Sequence, residues 1–367
     1  MRIAIVSTNK SKYSETFIDS HRKYLSEHPL NLFDGYLPTR YSLHGMVDDA
    51  PIVPSISGLA SLLGKRPLEL EASIKQLLVD QKIELVLAEY GPSGVEMAEI
   101  CKVLHIPLIV HFHGYDAYRK DVLSTYGKQY KEMFKSAAAI IGVSKHMVNQ
   151  LSQLGCPLEK LHYIPYGIDI DIFKRRHNGD SKKQLVACGR FVPKKGPQFT
   201  IQAFAKVSRQ DHEATLTMIG DGELLEECKK LAEDLGLNDK IKFTGALSAM
   251  QIADIYAESF AFVQHSLVDE NNDSEGTPLA IMEAGAAALP VISTIHAGIP
   301  DIIDSDINGF LVAERDIDLM ADKMLVLLQD RVLAKEMGYQ LQQKILANYS
   351  VTNYIEQLKT LINQFKK

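Results

Sequence analysis

Hydrophobic and polar positions follow two patterns that alternate along the chain. Short runs of branched apolar residues, typical of buried strands, are separated by longer segments whose apolar residues recur at helical spacing. In the first half the pattern predicts strands at residues 3–6, 85–88, 108–111 and 138–143, and helices at residues 16–25, 69–80, 94–104 and 145–154. Strands that alternate with helices form parallel sheets covered by helices, so the predicted fold class is α/β.

A second series of the same kind follows an interruption at residues 166–183. The interruption ends in a polar, basic stretch, and we interpret it as an interdomain linker. Beyond it the pattern predicts strands at residues 185–188, 215–219, 241–244, 261–264 and 291–293, and helices at residues 197–207, 223–235, 278–288 and 319–329. No repeat of fixed period is visible, which excludes a solenoid.

These segments predict a two-domain organisation, which also fits a length of 367 residues at roughly 150 residues per domain. Residues 1–165 form one predicted Rossmann-like domain and residues 184–348 the other. Residues 349–367 are predicted to form a C-terminal helix whose apolar stripe packs back on the first domain. Ligands in such folds bind beyond the carboxyl ends of the strands, so a cleft between the domains is the expected site.

Composition narrows the class of protein. The formal net charge is -6. Proteins that bind nucleic acid have a basic surface, so this charge gives no sign of a nucleic-acid partner. The first residues run directly into a strand-like segment, so neither a signal peptide nor a spanning helix is expected, and the predicted location is cytoplasmic. The four cysteines are far apart and form no CxxC pair, so we interpret them as reduced thiols outside any zinc site or disulfide.

The most informative segment begins the helix predicted at residues 278–288. Thr277 suits the N-cap and Pro278 the first helical position, so the amides that follow, beginning with Leu279, face a ligand with the positive end of the helix dipole. That arrangement binds anions such as a diphosphate. Two carboxylates flank it, Glu275 on the preceding loop and Glu283 more than a turn inside the helix.

The alternative interpretation makes Glu283 a solvated helix residue and Glu275 a capping carboxylate. It is disfavoured because Glu283 lies among alanines on a helix expected to pack on a sheet. A carboxylate buried there needs hydrogen-bond partners, and the hydroxyl groups of a sugar and a ribose are suitable ones.

This segment resembles the E-x7-E motif of retaining glycosyltransferases of family 4, whose GT-B fold has two Rossmann-like domains. Further segments are similar to family elements in the same order along the chain. They are His111-Phe112-His113-Gly114, Pro165-x-Gly167-x-Asp169 with Phe173, Gly189-Arg190-Phe191 followed by Lys195-Gly196, and Gly220-Asp221-Gly222. The resemblance implies transfer of a sugar, with retention of anomeric configuration, from a UDP- or GDP-sugar to a saccharide or lipid-linked acceptor in polysaccharide synthesis.

The resemblance also implies roles for individual residues of the second domain. Glu275 is expected to hold the donor sugar and Glu283 the ribose, while Arg190 and Lys195 stabilise the departing diphosphate. The diphosphate is expected at the start of the helix, near Gly276, Thr277 and Leu279. The base is expected near the turn at Gly220 and the loop at Leu247 of the same domain.

Arg190 and Lys195 are expected to take the place of a metal ion. Arg190 follows the strand predicted at residues 185–188, and Lys195 precedes the helix predicted at residues 197–207, so both are expected at the carboxyl end of the second sheet. Preorganised cations there stabilise a diphosphate as a divalent metal does. The acidic run Asp269-Glu270-Asn271-Asn272-Asp273 lacks the spacing of an EF-hand and is interpreted as an exposed loop. The sequence therefore predicts no metal and no cofactor.

The first domain contributes the acceptor side and fewer motif residues. The resemblance places His113 near the transferred sugar, as a hydrogen-bond partner or an acceptor-positioning group, whereas His111 lies in strand register and is interpreted as structural. Asp116 is a second candidate, with turn capping as the alternative. Ser7 and Asn9 follow the first strand, without the glycine pair of many family members, and are candidates for a phosphate or acceptor loop.

Two weaker signals concern the acceptor. The S-x-T-F element at residues 14–17 resembles enzymes that build exopolysaccharide repeat units, including those of the colanic-acid type. Residues 59–66 join an apolar patch to Lys65 and Arg66, which suits peripheral contact with an anionic membrane, although core packing is the alternative. Two rival functions stay open, an epimerase of related architecture and a non-catalytic nucleotide-sugar-binding module. A nicotinamide dehydrogenase is disfavoured because no G-x-G-x-x-G follows the first strand.

Overall fold

The computed structural model describes residues 1–10, 16–43, 50–52, 66–174 and 182–366, with the side chains of residues 66–68 left out. Ser14 of the S-x-T-F element, the patch at residues 59–65 together with the Arg66 side chain, and residues 175–181 of the predicted linker therefore lie outside the description. Within the described part of the chain, no helix combines the length and apolar character that crossing a membrane requires.

The chain forms two compact units, of which the first comprises Met1–Pro165 and Thr352–Lys367. Its sheet has eight strands in the order β4-β3-β2-β1-β5-β6-β7-β8. These strands are β1 Ile3–Val6, β2 Leu30–Phe33, β3 Arg40–Leu43, β4 Ala50–Pro51, β5 Leu85–Glu89, β6 Leu108–Phe112, β7 Ala139–Gly142 and β8 Leu161–Tyr163. The pairs β2–β3 and β3–β4 are antiparallel, and the other neighbours are parallel.

Helices connect the parallel strands of the first unit. They are α1 Thr16–Tyr24, α2 Arg66–Asp80, α3 Gly91–Leu104, α4 Tyr115–Tyr118, α5 Lys120–Ser136 and α6 Lys145–Gln153, and the last helix of the chain, described below as α15, belongs to the same unit. The central strands β1, β5 and β6 are buried along their whole length, which explains their continuous apolar runs. The chain reverses its direction of travel across the sheet between β1 and β5, so the carboxyl ends of these two strands form a topological switch point.

The second unit comprises Tyr166–Val351 and contains a six-stranded parallel sheet in the order β11-β10-β9-β12-β13-β14. Its strands are β9 Gln184–Cys188, β10 Thr215–Ile219, β11 Ile241–Gly245, β12 Ala261–Val263, β13 Val291–Thr294 and β14 Gly309–Val312. This is the 3-2-1-4-5-6 order of a dinucleotide-binding sheet, with its switch point between β9 and β12.

The helices of the second unit cover both faces of that sheet. They are α7 Ile170–Phe173, α8 Pro197–Gln210, α9 Leu225–Asp234, α10 Ala249–Glu258, α11 Leu279–Ala286, α12 Ile299–Ile302, α13 Ile317–Gln329 and α14 Arg331–Asn348, followed by α15 Val351–Asn363, most of which belongs to the first unit. A continuous core packs α8 and α13 against the sheet through buried residues such as Phe204, Met320 and Met324.

Several elements differ from the sequence prediction for identifiable reasons. Strand β2 is interrupted by Asn31, and β3 is only partly buried, so neither carries a continuous apolar run. Helix α5 is rich in lysine and buries only three of its residues, Tyr130, Met133 and Phe134. The predicted linker contains the four-residue helix α7, and its described residues lie in the second unit.

Within the second unit, α14 packs against the segment that follows α11 through a glycine, Gly338. A Cβ built on Gly338 would lie 2.1 Å from the carbonyl oxygen of Ala288, which is backbone and has no alternative rotamer. The helix can approach this closely because residue 338 has no side chain.

We predict that Gly338→Ala destabilises the protein by about 1–3 kcal/mol in urea denaturation, because overpacking outweighs the gain in helix propensity. Gly127→Ala is the matched control, since residue 127 is also inside a helix but nothing lies within 4 Å of its added Cβ. The control is expected to be neutral or stabilising by up to about 1 kcal/mol. Equal effects of the two substitutions would contradict the close approach of α14.

Candidate active site

The candidate donor site lies at the switch point of the second sheet. Gly189 and Arg190 follow β9, and Gln264 follows β12, so the carboxyl ends of both strands bring these residues to one place. Cys188, Gly189, Arg190, Lys195 and Gln264 are among the residues that line a small pocket of about 30 Å³ there. The Arg190 side chain is exposed at this pocket.

Lys195 and Glu275 form an ion pair beside this pocket. The Lys195 Nζ atom lies 3.1 Å from Glu275 Oε2, and the two side chains are 14% and 9% exposed. Lys195 ends a 3-10 turn, after which Gly196 adopts a left-handed conformation with φ 49°. A Cβ on Gly196 would lie 2.6 Å from the carbonyl oxygen of His265, so the turn depends on glycine to place the lysine.

Electrostatics keep Glu275 ionised although it is buried. Burial opposes the charge, but the cations Lys195 and Lys194 outweigh it and lower the pKa of Glu275 to about 2. Its Oε2 atom is paired with Lys195, whereas Oε1 is buried and has no hydrogen-bond partner in the described part of the chain. A buried, charged oxygen of this kind is suited to accept a hydrogen bond from a ligand hydroxyl.

His296 holds the backbone of Glu275 in place. The Glu275 amide donates to His296 Nε2 at 3.1 Å, so the imidazole proton lies on Nδ1, which donates to Glu314 Oε1 at 2.7 Å. Burial lowers the pKa of His296, although Glu314 opposes this, and the ring is thereby kept available as an acceptor. The sequence prediction missed His296 because no motif contains it; its place directly after β13, at the carboxyl edge, was the available signal.

Lys194 ties the acidic loop to the same edge of the sheet. Its Nζ atom donates to Asp273 Oδ1 at 3.0 Å and to the Ser274 carbonyl oxygen at 3.2 Å. Asp269 accepts backbone hydrogen bonds from Asn271 and Asp273. Two of the three carboxylates of this loop, those of Asp269 and Asp273, therefore help to hold residues 269–274 in shape.

The start of α11 differs from the sequence prediction. The helix begins at Leu279 with Pro278 as its N-cap and without a side-chain cap, so the predicted cap at Thr277 and first helical position at Pro278 are each one residue too early. Pro278 takes an extended conformation with ψ 113°, which a first helical residue cannot have. Thr277 is buried, and the amides of Leu279 and Ala280 point out of the first turn as helix geometry requires.

Glu283 lies on α11 with only part of its side chain accessible. Burial raises its pKa to about 7, although the nearby Lys195 opposes the shift. Burial, followed by the charge of Glu283, raises the pKa of the Cys188 thiol to about 12. Burial, together with Cys188 and Glu283, raises the pKa of Tyr256 well above its usual value. The pKa of Glu283 is therefore raised, whereas that of Glu275 is lowered.

The loop after β10 packs directly on the backbone of the loop after β9, because Gly220 and Gly222 have no side chains. A Cβ on Gly220 would lie 2.0 Å from the Gly189 carbonyl oxygen, and both glycines have positive φ, 135° and 152°. The Phe191 amide donates to the Asp221 carbonyl oxygen at 2.9 Å. The turn after β10 thus supports the loop that carries Arg190, while Leu247 lies partly exposed after β11.

Three histidines of the first unit, His21, His111 and His113, lie around a buried carboxylate at the switch point of that unit's sheet. Glu89, the last residue of β5, accepts from His113 Nε2 at 2.8 Å and from His21 Nδ1 at 2.5 Å. His113 stacks on Phe17, with ring centroids 4.4 Å apart, and only 9% of the residue is exposed. The sequence prediction missed Glu89 and His21, and the structure places both in contact with the histidine motif.

Asp116 fixes the loop that follows His113. Its carboxylate is fully buried and accepts the amides of Gly91 at 3.0 Å, His113 at 3.0 Å and Gly114 at 2.9 Å. Burial raises the pKa of Asp116 even though these amides oppose the shift. This arrangement corresponds to the turn-capping alternative of the sequence analysis.

Ser7 and Asn9 form a loop that is braced from α1. Ser7 Oγ donates to the Asn9 carbonyl oxygen at 2.8 Å and accepts from Arg22 Nη2 at 2.7 Å. Arg22 also donates to the backbone carbonyl oxygens of Asn9 and Lys10. Ser7 is fully buried, so of the two candidates Asn9 has the accessible side chain.

Metal-ligating groups come together at one place among the described residues. His21, Glu89 and His111 each bring one ligand atom within 4.8 Å of the others, in the interior of the first unit. Glu89 is already hydrogen-bonded to two imidazoles through both oxygens.

Comparison with known proteins identifies the family that this chain resembles. Residues 169–344 match the family described as Glycosyl transferases group 1, and residues 32–172 match Glycosyltransferase Family 4. The putative colanic acid biosynthesis glycosyltransferase WcaL of Escherichia coli (strain K12) is 27% identical over 263 residues, 71% of this chain and 65% of the relative. The amylovoran biosynthesis glycosyltransferase AmsK of Erwinia amylovora is 31% identical over 251 residues, 67% and 61% respectively. The chain thus spans less than two thirds of the length of these two curated relatives.

A solved structure matches along the whole chain. HepE of Anabaena in complex with UDP has a TM-score of 0.80 at 17% identity and covers 99% of each chain. Two Rossmann-like units of this order define a protein of the GT-B fold. Together with the two family matches, which extend over residues 32–344, this places the chain plainly: it belongs to glycosyltransferase family 4.

The raised pKa of Glu283 gives a prediction for stability against pH. Because the pKa rises from 4.5 in the unfolded chain to about 7 in the folded protein, the wild type loses stability between those values as pH rises. Glu283→Gln is therefore expected to gain stability relative to wild type over this window, by up to about 3 kcal/mol, and to keep a constant difference above it.

Urea denaturation at pH 4.5, 6 and 7.5 measures this difference. Glu258→Gln, at an exposed position at the end of α10, is the control and is expected to stay close to wild type throughout. A difference for Glu283→Gln that is independent of pH would refute the buried, shifted carboxyl.

Proposed function

We propose that this chain is a retaining glycosyltransferase that transfers a sugar from a nucleotide-sugar to a saccharide or lipid-linked acceptor in exopolysaccharide synthesis. The observation that carries the proposal is the largely buried Lys195–Glu275 pair at the switch point of the second sheet, with Glu275 on the loop that leads into α11. A cation and a hydroxyl acceptor on a loop that leads to the first-turn amides of a helix together match a sugar diphosphate.

The diphosphate of the donor binds the exposed Arg190 and the amides at the start of α11. Arginine grips two phosphate oxygens at once, and the amides of Leu279 and Ala280 add the positive end of the helix dipole. Lys195 lies within reach of the same charge while paired with Glu275. As the bond between the anomeric carbon and the diphosphate breaks, the electron pair leaves on the phosphate oxygen, where these groups stabilise it.

The donor sugar lies against Glu275. Its unpartnered Oε1 accepts a sugar hydroxyl, while Oε2 remains with Lys195. The acceptor oxygen bonds to the anomeric carbon on the face that the diphosphate leaves, and the acceptor proton passes to the departing phosphate. This same-face step is the one that membership of family 4 implies. Glu283 accepts the ribose hydroxyls of the nucleotide, which favour its ionised form once they bind.

The names of the relatives support the proposed substrates. WcaL and AmsK are described as enzymes of colanic acid and amylovoran biosynthesis, which are exopolysaccharides. HepE has been crystallised with UDP and with UDP-glucose. A UDP-sugar is therefore the first donor to test, and GDP-sugars are the second.

We predict that a nucleotide-sugar raises the free energy of unfolding of this protein by RT ln(1 + [L]/Kd), and with it the thermal unfolding midpoint. Glu275→Ala is expected to lower the rate of transfer about 100-fold or more while the nucleotide alone still binds within a few-fold. Glu227→Ala, at an exposed position on α9, is the matched control and keeps wild-type transfer.

The assay combines a screen of UDP- and GDP-sugars by thermal shift with transfer to saccharide and polyprenyl-diphosphate acceptors. Near-normal transfer by Glu275→Ala would contradict the central assignment. An epimer formed from donor alone would favour an epimerase, and tight binding without transfer to any acceptor would favour a binding module.

We also propose that turnover needs no divalent metal, because Arg190, Lys195 and the helix amides already oppose the diphosphate charge. Transfer is expected to be unchanged, within about twofold, after dialysis against a chelator. Arg190→Ala is measured under the same conditions for comparison, and its rate of transfer is expected to be at least about tenfold lower than that of the wild type. Full loss of transfer in chelator, restored only by added metal, would overturn this part of the proposal.

A further inference from the structure

The carboxylate of Glu314 holds both ends of one loop at the candidate donor site. This loop, residues 268–275, lies between β12 and α11 and ends in Glu275. At its start, the Val268 amide donates to Glu314 Oε2 at 3.1 Å. At its end, the Glu275 amide donates to His296 Nε2 at 3.1 Å, and His296 Nδ1 donates to Glu314 Oε1 at 2.7 Å. A single side chain therefore anchors the loop at two points.

Neighbouring contacts support the same two points. Arg315 Nη2 donates to the Val268 carbonyl oxygen at 3.0 Å, and its Nη1 lies 3.5 Å from Glu314 Oε2. Ser274 Oγ lies 3.2 Å from His296 Nε2. His296 lies just after β13 and Glu314 just after β14, so the loop is anchored to the carboxyl edge of the second sheet.

The proton of the His296 ring is placed by a group that only donates. A backbone amide does not accept, so His296 Nε2 accepts from Glu275 and the ring proton lies on Nδ1. Burial lowers the pKa of His296, against Glu314 and Glu275, which raise it, and Lys195 also lowers it. Burial first, with a smaller contribution from His296, lowers the pKa of nearby His265 to about 4. Both rings are therefore neutral near pH 7, and His296 needs an acceptor at Nδ1.

Two N–H donors thus converge on Glu314, the Val268 amide and the His296 ring. A carboxylate satisfies both, because it has two accepting oxygens. A glutamine at this position has one accepting oxygen and one donating nitrogen, so one of the two donors would face another donor. A donor left without an acceptor in the interior is destabilising, so this arrangement requires a carboxylate at residue 314.

We propose that Glu314 is a positioning residue for Glu275. By holding Val268 and His296 it fixes both ends of the 268–275 loop, and with them the place of the Glu275 carboxylate. The part that concerns the donor sugar rests on the proposed glycosyltransferase function, in which Glu275 accepts a sugar hydroxyl. The part that concerns the two anchors stands on the hydrogen bonds of the second unit alone.

Two substitutions remove the anchors in steps. Glu314→Gln keeps one accepting oxygen and releases one end of the loop, whereas Glu314→Ala releases both ends. With donor and acceptor saturating, kcat is expected to fall about three- to tenfold in Glu314→Gln and at least about thirtyfold in Glu314→Ala. The Kd of the nucleoside diphosphate alone, which has no sugar to contact Glu275, is expected to change less than about threefold in both.

Glu226→Gln and Glu226→Ala are the matched controls. Glu226 is also a glutamate with a bonded carboxylate, which lies 2.7 Å from Lys229 Nζ on α9. Both control variants are expected to keep the kcat of the wild type. All rates are measured well below the unfolding midpoint of each variant, so that a loss of stability alone does not lower kcat.

Nitrogen NMR of protein labelled at histidine reads the anchors without any substrate. His296 is expected to carry its proton on Nδ1 in the wild type at neutral pH. Because Glu314 raises the pKa of His296, Glu314→Gln is expected to lower that pKa, whereas Glu226→Gln leaves it unchanged.

A proton on Nε2 of His296 in the wild type would overturn the proposal. A Glu314→Ala protein whose kcat stays within about twofold of the wild type would also overturn it. If Glu314→Ala fails to fold, the wild-type spectrum and the kcat of Glu314→Gln decide.

The two proposals fail separately. If no donor and acceptor support transfer, the proposed function fails, and the NMR still decides whether Glu314 holds His296. If transfer occurs and neither Glu314 variant changes kcat, the positioning role fails and the function stands.

Discussion

A carboxylate in the interior of a protein needs a partner that favours its charge, and this constraint shapes both units. Glu275 is buried and ionised because Lys195 and Lys194 stand beside it, and each lysine is in turn placed by a short loop at the end of β9. Leaving a buried charge unpaired costs several kcal/mol, so the site depends on the turn at Gly196 that places Lys195, and the bond that the Glu275 amide donates to His296 holds the glutamate in place. The geometry of the donor edge follows from this one requirement.

The first unit meets the same constraint with imidazoles. Glu89 lies at the carboxyl end of a central strand, and two histidines donate to it. Histidine changes its proton arrangement at little cost, whereas lysine offers only donors. The two units therefore hold their carboxylates with different partners. Glu275 lies beside lysines, and Glu89 lies beside imidazoles.

The sequence predicts the parts of this architecture that depend on local pattern. Buried strands such as β1 and β10 carry continuous apolar runs, and Glu275 and Glu283 sit in a recognisable segment. The start of α11 was placed one residue early because a Thr-Pro pair fits the N-cap rule, whereas the observed backbone at Pro278 is extended. Local preference does not reveal that conformation.

Contacts between residues that are far apart in the sequence cannot be predicted from local pattern. Glu89 and His113 are separated by 24 residues, and His21 and Tyr354 by 333, so only the sheet topology and the return of α15 bring them together. Lys194 shows the same limit at shorter range. It stands beside a motif lysine, and nothing in the sequence indicates which of the two pairs with Asp273 and which with Glu275.

The return of α15 to the first unit has a consequence for synthesis of the protein. Domains generally fold as they leave the ribosome, from the N-terminus onward. The first unit emerges as far as Pro165 well before Tyr354 is made, and the whole of the second unit is translated in between. During that interval His21 lacks its phenol partner. The interior of the first unit is therefore completed only after α15 has been translated, and a chain truncated before α15 would carry a first unit in which His21 lacks Tyr354.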